Sequence, residues 1–177
     1  LHVKRHSFPT RRSSDLIDGA LALAFLITRQ VALLHENGMA HNNVHPGALL
    51  FKAARETHMA QAAMIGLVEP SLSFEAMVAD TRAIASMLLS WLRPARILQL
   101  NARTRPHFDA LRGRLTQIAT DRNEEPRIDE LLATISDGLA LVDFNFSVLR
   151  DAGGDLEEYA QLLLSHRAYH SLWPEAR

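Results

Sequence analysis

Residues 39–51 read Met-Ala-His-Asn-Asn-Val-His-Pro-Gly-Ala-Leu-Leu-Phe. The backbone must change character inside this stretch, and that change decides the fold. Asn42-Asn43 and His45-Pro46-Gly47 are turn chemistry: Asn tolerates left-handed backbone, Pro presets φ and Gly accepts either sign of it. Ala48-Leu49-Leu50-Phe51 is a short apolar run of strand length. A second run, Ala62-Ala-Met-Ile-Gly-Leu-Val68, lies across a polar stretch, and the two are expected to pair as a small hairpin.

Upstream of the loop, Ile17, Leu21, Ala24, Thr28, Val31 and His35 recur every three or four positions, with Phe25, Ile27 and Leu34 widening the stripe. No proline interrupts them, and Gly38 stands where a helix C-cap would fall. A long, buried helix is predicted over 17–35. Arg29 and Gln30 break its apolar run, so it is not read as a membrane span.

Downstream, Asp80 to Leu92 carries Ala83, Ile84, Met87, Leu88 and Trp91 at helical spacing and stops before Pro94. A third helix is predicted over 107–119, with Phe108, Leu111, Leu115 and Ile118 on one face. A fourth is predicted over 126–141, with Pro126 in its first turn. Val142 to Val148 alternates like a strand. After Gly153-Gly154 a fifth helix is expected over 155–173. The fold class is therefore mainly α with one small β-hairpin.

The 177 residues are 47% hydrophobic and 22% charged, enough apolar side chain for a sizeable core. The absence of cysteine removes disulfides, thiolate metal sites and a Cys nucleophile. A formal net charge of −1 offers no global field for nucleic acid or anionic lipid, so neither is expected as a partner. Only Lys4 and Lys52 are lysines, against seventeen arginines. That bias points to a GC-rich, bacterial source, and the expected location is cytoplasmic.

Residues 1–16 stand apart. They lack periodicity and hold four of the positive charges. His6-Ser-Phe-Pro-Thr-Arg-Arg-Ser-Ser-Asp-Leu16 resembles the in-frame translation of a sequencing adapter, so 1–16 is expected to be a non-native, disordered segment. Without it, fifteen positive and nineteen negative groups remain, a net of −4. On this reading the natural chain was cut near residue 16, and the remainder is a C-terminal fragment of something longer.

Leu34-His-Glu-Asn-Gly38 followed by His41-Asn-Asn-Val-His-Pro-Gly-Ala-Leu-Leu-Phe51 resembles the helix and catalytic loop of the protein-kinase-like superfamily, whose pattern there is L-H-x-x-G-x-x-H-R-D-L-K-P-x-N-I-L. The His-Pro-Gly variant is also similar to small-molecule relatives such as aminoglycoside and choline kinases. Met64-Ile-Gly-Leu-Val68 falls where the family carries D-F-G, and Asp80-Thr-Arg-Ala-Ile-Ala-Ser-Met-Leu-Leu looks like its central helix, which opens with an Asp. Phe108 to Ile135, with Arg127 ahead of Asp129, resembles its last two helices. The resemblance implies a kinase-like C-terminal lobe over 17–136, with 137–177 as an additional helical extension.

Phosphoryl transfer needs an Asp to accept the substrate hydroxyl proton, and an Asn and a second Asp to hold magnesium. By resemblance the proton acceptor falls on Asn43, a neutral amide. The loop Lys falls on His45, the metal-binding Asn on Ala48 and the second metal-binding Asp on Met64. Neither Ala48 nor Met64 offers an oxygen to a hard cation. Only fourteen positions separate Gly66 from Asp80, and no A-P-E appears. His41, Asp80 and Arg127 match family positions that hold the fold, Asp80 by tying the catalytic-loop backbone to the central helix. The resemblance thus implies an inactive pseudokinase serving as scaffold or regulatory module, with ATP and magnesium relevant only if an upstream lobe exists. The alternatives are an active phosphotransferase whose nucleotide site lies upstream, and an unrelated helical interaction domain.

The same residues admit other chemistries. His35, His41 and His45 could ligate zinc, but Gly38 and Pro46 make this stretch a loop and no acidic fourth partner stands near; packed or hydrogen-bonded histidines are expected. His45 could act as a general base. Arg103, Arg105, Arg112 and Arg114 could bind phosphate, although Asp109 interleaves them. Tyr159, Tyr169 and Trp173 give the tail an aromatic stripe that either packs on the lobe or presents a protein-binding surface.

Overall fold

The apolar stripe upstream of the loop folds as helix α1, Ser13–Glu36. The computed structural model describes residues 13–52, 61–67, 72–93, 102–142, 155–158 and 160–161. After α1 come a 3-10 turn at Pro46–Ala48, strand β1 at Leu49–Lys52 and strand β2 at Gln61–Met64. Helices α2 (Phe74–Trp91), α3 (Arg105–Thr120) and α4 (Ile128–Val142) follow. The strands form a two-stranded antiparallel sheet with Leu49 opposite Met64 and Phe51 opposite Ala62. The described residues are thus mainly helical with one small hairpin.

The core is where α1 lies against α4 and α2 while α2 lies against α3. Leu21 and Ile27 from α1, Ile84 and Leu88 from α2, Phe108, Leu115 and Ile118 from α3, and Leu131, Ile135 and Leu139 from α4 are all fully buried. Burial of each such side chain contributes about 1.5–3 kcal/mol. Thr28, a polar member of the α1 stripe, satisfies its hydroxyl by donating to the Ala24 carbonyl at 2.6 Å. From Ile17 to Glu36, α1 is long and apolar enough to cross a membrane, yet most of that length is buried inside the protein.

Several boundaries differ from the sequence reading; α4 begins at Ile128, so Pro126 precedes it and is not in its first turn. Helix α1 begins at Ser13, inside the segment expected to be disordered. Ser13, Ser14 and Asp15 are residue types that a helix N-terminus accepts well, so the helix does not stop at Ile17. Residues 1–12 lie outside the described residues. Helix α2 begins at Phe74, where the Ser73 hydroxyl caps the Ala76 amide and Glu75 occupies the first turn. Asp80 therefore sits in the body of the helix and does not open it. Helix α4 runs unbroken through residues 136 and 137, so the expected division there cuts a helix, and Val142 ends that helix instead of starting a strand. The rest of the alternating run, 143–148, lies outside the described residues. Finally, 156–158 and 160–161 are helical, and Ala160 is fully buried in the same core that Leu156 packs against. This part of the tail packs on the helical core.

Candidate functional site

The site grows from the end of α1. Gly38, at φ +74°, turns the chain with its amide donating to the His35 carbonyl and the Met39 amide to the Leu34 carbonyl, the double bond of a Schellman cap. A side-chain-bearing residue resists that left-handed φ, which is why glycine stands there. The chain then crosses α2 with Ala40 and His41 buried.

Asp80 holds this crossing. Its Oδ2 accepts the His41 amide at 2.5 Å and its Oδ1 accepts the Asn42 amide at 3.0 Å. Asn42 has φ +60°, a left-handed conformation that Asn tolerates better than other side-chain-bearing residues, and its clamped amide helps to fix it. The same Oδ2 lies 3.2 Å from His35 Nε2, which must donate because a carboxylate only accepts. Both side chains are nearly inaccessible. Burial pushes the His41 pKa below its ordinary 6.5, against the pull of the Asp80 charge, and His45 lowers it further. His41 Nδ1 is buried with no hydrogen-bond partner among the described residues.

Beyond the clamp, the Asn43 amide nitrogen donates to the Gly66 carbonyl at 2.8 Å. His45 turns back on its own turn, with Nδ1 accepting the Gly47 amide at 3.1 Å. An accepting Nδ1 puts the neutral ring's proton on Nε2. Ala48 is buried, and its carbonyl accepts the Ile65 amide at 2.7 Å. Met64 packs against the hydrophobic core, and its amide donates to Gln30 Oε1 at 3.0 Å. Gln30 also donates to the Ala62 carbonyl at 2.6 Å, so one glutamine pins β2 to α1.

The structure therefore gathers His41 and Asp80 into one buried arrangement, with Asn43 and His45 beside it, and adds His35. It separates the rest. Arg127 lies on the surface, three-quarters exposed and paired with the similarly solvated Asp129, so it does not act as the structural anchor expected. Met64 is partly buried and packs against the core, and its thioether offers no oxygen to a hard cation. Arg114 pairs with Glu130 and, at 3.8 Å, with Glu124, so it is engaged in the surface network. Glu157 reaches Arg29 at 3.4 Å across an open groove of about 320 Å³ between α1, β2 and the tail. Tyr159, Tyr169 and Trp173 lie outside the described residues. Among the described residues, no group of three or more His, Asp or Glu side chains could hold a metal ion.

Sequence reasoning missed two residues. Gln30 reads as an interruption of an apolar stripe, and its strand-pinning role depends on β2 lying beside it. His35 reads as one more packing or zinc-candidate histidine; its signal is a polar ring closing an apolar stripe next to a helix cap. Chemically, several of the loop's side-chain contacts serve to hold its own backbone. Asp80 accepts from three donors, Asn43 is an amide and His45 Nδ1 accepts the Gly47 amide. No protein-family model, curated protein or solved structure matches the chain.

Proposed function

We propose that this chain carries a degenerate C-terminal lobe of the protein-kinase-like kind, serving as a scaffold or regulatory module and not as a phosphotransferase. The observation that carries the reading is Asp80. From the body of α2 its carboxylate takes the amides of His41 and Asn42, the contact the resemblance leads one to expect between central helix and catalytic loop. The order of elements also fits: a long helix, a clamped loop, a hairpin, then helices packed on the first and on one another. The inert half of the reading rests on the side chains at the reactive positions. Asn43 has no usable basicity, Ala48 is a buried methyl and the half-buried Met64 has no oxygen for a hard cation.

The test is thermal unfolding with ATP, with and without magnesium. A nucleotide at a hundred times its Kd adds about 2.7 kcal/mol to a folded state that binds it, which raises Tm by roughly 5–10 °C for a chain of this size. No magnesium-dependent shift is expected. A shift of that size defeats the inert reading, because it places a nucleotide site within this chain.

A further inference from the structure

We infer that Asn43 is a latch: its side-chain amide, and not merely a polar group at that position, ties the 41–45 loop to the segment leaving β2. The contact has a defined direction. The Gly66 carbonyl can only accept, so the partner must be Nδ2 of Asn43, 2.8 Å away. The receiving side is shaped for it. Gly66 has φ +74°, and a Cβ placed there would lie 3.1 Å from Asn43 Nδ2. The latch stands between two firmly held ends: the Asp80 clamp on His41 and Asn42, and the bond from the Ile65 amide to the Ala48 carbonyl. Without it, the loop and the outgoing segment are joined through the hairpin and have less to hold them together at the open end.

The inference stands on this geometry alone and survives failure of the kinase-like reading. It has a consequence for that reading nonetheless. Asn43→Asp, the change that would supply a proton acceptor, turns a donor into a carboxylate facing a carbonyl. The charged and titratable groups nearest position 43 in the loop and clamp are Asp80, His41 and His45; Asp80 only accepts and cannot bond the Gly66 carbonyl, and His45 is turned back onto the Gly47 amide. The segment 65–67 is uncharged.

Amide hydrogen exchange at neutral pH tests the latch. A neutral hydrogen bond contributes enough that its loss speeds an opening that breaks it by about fivefold. In Asn43→Asp the Ile65 amide is expected to exchange about fivefold faster or more. The Asp121 amide, at the end of α3, opens with the loop intact and is expected to be unchanged. Asn43→Leu, which cannot donate either, is expected to show the same pattern and carries the test if the acidic variant does not fold. An Ile65 rate equal to the parent's, or a rise shared equally by Ile65 and Asp121, overturns the latch.

Discussion

The Asp80 carboxylate lies 2.5 Å from the backbone nitrogen of His41, thirty-nine positions earlier in the chain. One buried side chain thereby sets the path of a loop that has no regular structure of its own. With Asn42 and His35 it holds three donors at once. Asp80→Asn keeps the shape and turns one acceptor into a donor facing a donor. Breaking a buried charged network costs about 3–5 kcal/mol, and this change is expected to lie near the lower end of that range. Urea unfolding measures it. A loss below about 1 kcal/mol would mean that the clamp does not hold the loop.

The His41 ring sets a pH dependence. Its folded pKa lies below 6.5, chiefly through burial, so as the pH falls the unfolded chain takes up a proton first. The stabilisation is whole above about pH 6.5 and is lost as the pH drops from there towards the lowered folded value. Urea midpoints between about pH 8 and pH 5 should fall more steeply for the parent than for His41→Gln. Parallel curves would remove His41 as the source.

Two glycines with the same φ separate strain from crowding. Gly38 and Gly66 both lie at φ +74°, but a Cβ at Gly38 meets nothing within 4 Å, whereas at Gly66 it meets Asn43 Nδ2 at 3.1 Å. Gly38→Ala is expected to cost about 1–2 kcal/mol from backbone strain alone. Gly66→Ala is expected to cost more, because the latch amide must also give way. Equal losses would show that Asn43 moves aside freely.

Gln30 stands in for a strand neighbour. Its amide accepts from the Met64 nitrogen and donates to the Ala62 carbonyl, satisfying β2 where, among the described residues, no third strand pairs with it. Gln30→Leu improves the apolar stripe of α1 but strands both groups, at a cost of about 1–3 kcal/mol. A variant as stable as the parent in urea would show that water serves those groups equally well.

Much of the architecture was legible in the residues. The apolar spacing over 17–35, the glycine after it and the alternation of turn and strand chemistry over 39–51 each report a local preference, and α1, its cap and the hairpin all formed. The helix starts were less legible. Phe74 begins α2 because Ser73 can cap it, a weak signal beside the stronger apolar run that starts later. Arg127 illustrates the opposite error: a charged residue matched by pattern can simply be solvated.

The sequence by itself determined the helices, the hairpin and the identity of the side chains at the loop, because periodicity, capping and turn propensity act over a few residues. Only the tertiary structure decided what those side chains do. The clamp by Asp80, the latch from Asn43 to Gly66 and the pinning of β2 by Gln30 join residues 39, 23 and 32 positions apart. Such hydrogen bonds require partners within about 3 Å and in line, and only the packing of α1 against α2 and the hairpin brings them there.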